Sequence, residues 1–245
     1  MTDLAIIGGT GLTSLNGLEI TRREMVHTPY GEPSGPLTHG RFAGHDVVFL
    51  PRHGYAHTIP PHRVNYRANI WALQSIGVRR VLAIAAVGGI RADMVPGALA
   101  FPDQLIDYTY GRAHTFFEQD LEQVTHVDFS EPYDPALRQK LIDAAKTAGL
   151  TCITQGTYAA MQGPRLETAA EINRLERDGC DVVGMTGMPE AALARELQLA
   201  YACCAVIANW AAGKGKEGIH AEIERYLKQG MDQVRALLEA LLPTV

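Results

Sequence analysis

Leu4-Ala5-Ile6-Ile7 runs straight into Gly8-Gly9-Thr10-Gly11, and that junction decides the reading of the fold. A short apolar run without polar alternation is a strand buried on both faces, and the glycines after it mark a sharp turn. The same signal recurs at Val47–Leu50, Val81–Ala86, Thr151–Thr157, Asp181–Met185 and Ala202–Ala208. Between these runs lie amphipathic stretches long enough for helices, at Val64–Ser75, Pro135–Thr147, Thr168–Arg177, Pro189–Leu199 and Ile219–Leu242. Strands alternating with helices predict an α/β fold, its mostly parallel sheet covered on both faces and its functional groups at the strand ends. No internal repeat or linker interrupts residues 1–245, so a single domain is expected. The Pro- and Gly-rich stretch Thr28–His39 and the polar stretch Thr109–Tyr133 lack periodicity and read as active-site or interface loops.

Composition narrows the partners. With 47% hydrophobic and 20% charged residues, the 245-residue chain can bury one sizeable core. Its formal net charge is −5 and no Lys/Arg block occurs, so neither nucleic acid nor an anionic membrane surface is an expected partner; small molecules are. The N-terminal stretch lacks a basic leader, and no apolar run approaches the roughly 20 residues that span a bilayer, which predicts a cytoplasmic protein. Cys152, Cys180, Cys203 and Cys204 have no CxxC spacing, so buried free thiols are expected rather than a zinc site or a disulfide framework.

Two strand ends carry chemistry. Residues without Cβ in Gly8-Gly9-Thr10-Gly11 let backbone N–H groups approach an anion, and Thr10 adds a hydroxyl; a tight turn with no ligand reads equally well. The loop completes neither a Walker pattern nor a dinucleotide fingerprint. Val47–Leu50 leads into Pro51-Arg52-His53-Gly54, which sets at a strand end a guanidinium fork matched to phosphate oxygens and an imidazole that can add another donor, a place suited to an anion. The nearby His57, His62 and Arg63 strengthen that reading, although some of them must be structural.

These motifs, with Asn65-Tyr66-Arg67-Ala68-Asn69-Ile70-Trp71, Ala85-Ala86-Val87-Gly88-Gly89, Gly163-Pro164-Arg165 and Met185-Thr186-Gly187-Met188-Pro189-Glu190, resemble the methylthioadenosine phosphorylases over nearly the whole chain. The resemblance implies a twisted mixed sheet flanked by helices, a homotrimer, and cleavage of a purine nucleoside by inorganic phosphate with no metal or cofactor. It also implies that Thr10, Arg52, His53, Ala85, Ala86 and Thr186 line a phosphate site, and that Met185 lies against the ribose. His126 matches a position that reaches the neighbouring subunit's 5' pocket.

The base pocket departs from that family. Where adenosine-type members place aspartates after the last strand, this chain has Asn209-Trp210-Ala211. Asn209 can donate to O6 of a 6-oxopurine and accept from a protonated N7, which makes it the expected catalytic residue, with Trp210 and Ala211 beside the base. Glu167, in a segment that looks like inosine/guanosine phosphorylases, would accept N1–H, with Leu166 and Thr168 tuning the pocket. At the 5' end, apolar Ile219 and Ile223 favour a methylthio group, while His220 favours a hydroxyl. The expected substrate is S-methyl-5'-thioinosine. Methylthioadenosine, inosine or guanosine, hydrolysis by water, and a purine-binding sensor without turnover remain the competing readings.

Overall fold

The computed structural model describes residues 3–119 and 121–245. Eleven strands form one mixed sheet. They are β1 (Leu4–Gly8), β2 (Glu19–Glu24), β3 (Leu37–Phe42), β4 (His45–Pro51), β5 (Arg80–Gly89) and β6 (Leu99–Ala100), followed by β7 (Gln104–Asp107), β8 (Cys152–Ile153), β9 (Thr157–Ala160), β10 (Val182–Gly184) and β11 (Ala200–Trp210). The helices are α1 (Tyr66–Ser75), α2 (Pro135–Thr147), α3 (Ala169–Arg177), α4 (Gly187–Glu196) and α5 (Ile219–Leu241). The alternation of apolar runs and amphipathic stretches thus gives the α/β architecture it predicts, with antiparallel pairs β2–β3, β3–β4, β5–β10 and β6–β11 among the parallel ones.

Strand β5 organises the sheet. Its first residues pair in parallel with β1 through Ala83, and its last two pair antiparallel with β10 at Gly88 and Gly89. Between them, residues 84–87 have no strand partner on that edge, while the opposite edge pairs with β11 along the whole of β5. The sheet is therefore split on one side of a buried strand.

Side-chain alternation along β11 builds two cores. Tyr201, Cys203, Ala205 and Ile207 pack with α1 and α4, whereas Ala202, Cys204 and Val206 pack with α2 and α5. The adjacent thiols Cys203 and Cys204 accordingly point to opposite faces, and all four cysteines are free. On α5, Val234, Leu237, Leu238 and Leu241 recur at the spacing of one helical face and meet Leu137 and Leu141 of α2. Local signals fix the helix starts: Asp134 accepts from Leu137 N–H ahead of Pro135, and Thr168 forms a capping box with Glu171.

Two sequence expectations need correction. Thr151–Thr157 is not one strand, because β8 pairs with β6 and β9 pairs with β7 and β10, so the chain changes neighbours between them. The hairpin β2–β3 carried no signal, since β2 is an edge strand, exposed along nearly all its length, with no buried face to impose alternation. Its partner β3 begins inside the stretch read as a loop.

Gly230 lets α5 settle on the sheet: a Cβ there would lie 2.2 Å from Val206 Cγ1. Helix propensity alone would make Gly230→Ala stabilising by about 1 kcal/mol. Overpacking against β11 reverses the sign, and a net loss of about 1–2 kcal/mol is expected in urea unfolding. The loss should shrink when Val206→Ala makes room; a variant more stable than the parent would refute this account of the packing.

Candidate active site

The open edge of β5 is the wall of a cavity of about 360 Å³. Ala85, Ala86 and Val87, which neither β1 nor β10 pairs, line it together with Gly88. Glycines at the end of β1 make room around that edge. A Cβ on Gly9 would meet Ile84 O at 2.6 Å and Arg52 Nη1 at 3.0 Å, so Gly9 is required by the protein's own packing. Leu12 N–H donates to Gly9 O at 3.0 Å, so the loop is a tight turn and a cavity wall together.

Arg52 also lines the cavity, although it is almost fully buried. Its Nε and Nη2 donate to Glu190 at 2.6 and 2.8 Å, and its Nη1 donates to Ile84 O at 3.1 Å. Three of the five N–H donors of the guanidinium are thereby held. Glu190 is fully buried and also accepts from Tyr201 Oη at 2.8 Å. Burial opposes the Arg52 charge, but the carboxylate outweighs it and keeps the guanidinium protonated.

His53 departs from expectation. Its Nδ1 lies 2.8 Å from Ile59 O, which can only accept, so Nδ1 carries the proton. Burial first, then the Arg52 charge, push the imidazole down to about 4, so the ring is neutral near pH 7 and its Nε2 is an acceptor, not the second donor predicted. Thr10 lines the cavity with its hydroxyl 3.1 Å from His57 Nε2. His62 and Arg63 do not line it. Thr186 lines it as the residue before α4; its side chain makes no capping bond, and its N–H donates to Tyr158 Oη at 3.3 Å.

A second set of groups faces the same space. Glu167 lines the cavity without an ion pair among the described residues, because Arg165 pairs with Glu171 at 2.7 Å. Burial raises its carboxyl above the usual carboxylate range. Asn209 follows a β-bulge in β11, where the register with β5 slips between Ile207 and Asn209, an irregularity that redirects side chains near functional sites. Its Nδ2 donates to Trp210 O at 2.7 Å, which orients the amide and leaves Oδ1 and one N–H available. Leu166, Met185, Ala211 and Ile223 also line the cavity, joined by Ile219.

Three residues expected at the cavity lie elsewhere, and a fourth, His126, was expected only at that of a neighbouring copy. Trp210 is a backbone anchor whose N–H donates to the buried Glu222 of α5 at 2.8 Å. Thr168 caps α3, so its hydroxyl is committed to the helix. His220 is exposed and off the face that carries Ile219 and Ile223, which lie one helical turn apart. His126 is exposed on the long loop between β7 and α2 and contributes nothing to the cavity of its own chain.

Residues 3–243 match the phosphorylase superfamily. The chain is 58% identical to a probable S-methyl-5'-thioinosine phosphorylase of Pseudomonas syringae pv. tomato, over 99% of each chain. It is 47% identical to a probable 6-oxopurine nucleoside phosphorylase of Thermococcus kodakarensis, over 97% of this chain and 91% of that one.

The chain belongs to the phosphorylase superfamily.

The fold agrees: a methylthioadenosine phosphorylase from Schistosoma mansoni in complex with adenine superposes at a TM-score of 0.92 with 33% identity, over 99% of this chain and 91% of that one. Within the superfamily the chain sits among the nucleoside phosphorylases, which are pentosyltransferases. Sequence reasoning missed the role of two acids in this phosphorylase. Glu190 was visible as a carboxylate inside the apolar stretch Met188–Leu193, a placement that calls for a buried cation. Glu222 gave no such signal on a helix rich in charge.

Glu190→Gln leaves the buried Arg52 charge without its counterion and should cost about 3–5 kcal/mol in chemical denaturation, the penalty of orphaning one partner of a buried pair. A loss below about 1 kcal/mol would mean that Arg52 is solvated from the cavity and does not depend on Glu190.

Proposed function

We propose that this protein cleaves S-methyl-5'-thioinosine with inorganic phosphate, releasing hypoxanthine and 5-methylthioribose 1-phosphate, as a cytoplasmic homotrimer. The observation that carries the reading is that Glu167, without an ion pair among the described residues, and Asn209, oriented by the Trp210 carbonyl, line one cavity together. A carboxylate accepts the N1–H that hypoxanthine has and adenine lacks. The Asn209 amide can donate to O6 while its Oδ1 accepts from N7–H. The 5' group is read from α5, where apolar Ile219 and Ile223 line the cavity and His220 does not, which supports methylthio over hydroxyl. The name of the Pseudomonas relative agrees.

In this reading Arg52, Thr10, Thr186 and the free backbone of Ala85 and Ala86 hold phosphate beneath C1'. Neutral His53 accepts the hydrogen of its hydroxyl through Nε2. A phosphate oxygen forms the bond to C1' as the bond from C1' to N9 breaks, and the electron pair leaves with the purine. Phosphate charge stabilises the oxocarbenium character of the transition state, and Asn209 favours protonation of the base at N7. The balance closes, since phosphate gives up one proton and the base gains one. No group beyond phosphate is required as co-substrate. His126, on a loop that also exposes Tyr110, Leu121, Val124 and Val127, would complete the 5' slot of a neighbouring copy.

Base release should be assayed in parallel from methylthioinosine, methylthioadenosine and inosine, with and without phosphate. Methylthioinosine is expected to exceed methylthioadenosine in kcat/KM by about two orders of magnitude or more, the scale on which a polar pocket rejects a mismatched edge. Best turnover of methylthioadenosine would overturn the base assignment, best turnover of inosine the 5' assignment, and turnover without phosphate the reaction type. Asn209→Ala should lower kcat by roughly 10²-fold with a smaller change in KM; an unchanged kcat would remove it from the chemical step.

Glu167 adds a pH signature. Its ionised form accepts N1–H much more strongly than the protonated acid does, so kcat/KM for methylthioinosine should fall as pH drops through its raised value. In Glu167→Gln that acid limb should vanish and the plateau should be lower. An acid limb unchanged in the variant would assign it to another group.

A further inference from the structure

Arg112 belongs to no helix or strand and carries no sequence motif, yet it is buried to 8% exposure. It lies in the loop that follows β7, and its side chain reaches between two other segments. Nε donates to Gln162 Oε1 at 3.1 Å, and Nη2 donates to the carbonyls of Met161 and Gln162 at 3.2 and 2.8 Å. Nη1 donates to Met185 O at 2.9 Å and Met188 O at 2.6 Å, with Tyr66 Oη at 3.3 Å. The five donors of the guanidinium are thereby spent on acceptors of the protein itself.

The location of those carbonyls gives the contact its meaning. Strands β9 and β10 pair as far as Gly184 opposite Ala160, and Met161 N–H donates to Gly184 O at 2.8 Å. Beyond that point one segment continues into Pro164, Leu166 and Glu167, and the other into Met185 and Thr186, all of them cavity walls. No strand hydrogen bonds join the two segments there. Arg112 binds the carbonyls on both sides instead, through charge-assisted bonds from one rigid plane.

We propose that Arg112 is a positioning residue that sets the spacing between the Glu167 loop and the Met185–Thr186 turn, and so couples recognition of the base to the site of bond cleavage. This rests on the function proposed above. A lysine keeps the charge, but its three donors radiate from one atom on a flexible stem in place of a rigid fork, so it cannot hold both segments at the same fixed spacing. Misplacement of about 1 Å at reacting groups costs on the order of 10²-fold.

The test compares wild type, Arg112→Lys and Arg112→Ala. Both variants should lose roughly 10- to 100-fold in kcat/KM for methylthioinosine. Their preference for methylthioinosine over methylthioadenosine should narrow as well, because Glu167 no longer sits at a fixed distance from the reacting carbon. Millimolar guanidinium, but not ammonium, should restore part of the activity and of the preference in Arg112→Ala. A purely structural role predicts a lower active fraction and melting temperature with KM and preference unchanged, and that result would overturn the proposal. Amide hydrogen exchange, which needs no substrate, should accelerate in residues 161–168 and 184–188 of Arg112→Ala. Unchanged exchange there would overturn the proposal even where wild type proves active. A wild type that cleaves none of the nucleosides, with exchange accelerated as expected, would defeat the functional reading and leave the positioning role standing.

Discussion

A buried strand whose backbone is left unpaired on one edge is the constraint on which the rest of this structure depends. Buried N–H and C=O groups must find partners, and a sheet normally supplies them by continuing the ladder. Here β1 leaves β5 after Ala83 and β10 joins it only at Gly88. Arg52 satisfies Ile84 O, and the groups of Ala85 and Ala86 face a cavity. The opening is held apart by well-packed neighbours: β11 pairs with β5 along the intact edge, and the α2–α5 and α1–α4 layers close the two faces. A rigid gap of this kind offers backbone donors that need no reorganisation when an anion arrives.

Placing a cation beside that gap creates a second problem, which Glu190 solves. A guanidinium at 1% exposure is costly unless it is paired, and the bidentate contact with a carboxylate itself anchored by Tyr201 fixes its plane. The pair sums to no net charge, so what it offers an anion is its remaining N–H groups and not a bare positive field. The neutral His53 beside it fits the same economy, because a second buried cation would repel Arg52, and the Ile59 carbonyl fixes which nitrogen keeps the proton.

How much of this was legible in the sequence depends on whether a residue's role is local. The strands β1, β4, β5 and β11 are apolar on both faces and announce themselves. That Thr10 and Arg52 come to a strand-end cavity was legible from the apolar runs before them, whereas Asn209 was read from a resemblance. The exposed β2 had no buried face to impose a pattern, and Thr168 was misread because its hydroxyl serves its own helix. Glu222 and Arg112 act across 12 and about 50–76 residues of chain, and nothing in their immediate neighbours records the partner. The tautomer of His53 was equally hidden, since it is set by a carbonyl that only the turn after β4 brings near.

The two halves of the cavity are therefore built differently, and the difference has consequences for how such a site changes. The groups around Arg52 stand on strand ends locked into both cores, where a substitution disturbs a buried ion pair or the packing beneath the gap. Glu167, Leu166 and Asn209 stand on a loop and on the residue after a bulge, and Ile219 and Ile223 on the first turns of a helix. Exchanging these side chains alters which hydrogen bonds the cavity offers while leaving the sheet intact. Neighbours in the family carry names that differ in the base and the 5' group, as the 6-oxopurine, methylthioinosine and methylthioadenosine enzymes do, while a TM-score of 0.92 relates this fold to one of them. Under the function proposed above, a rigid anion gap paired with a tolerant recognition rim would give that pattern directly, with the chemistry tied to the core and the choice of nucleoside tied to positions the core does not need.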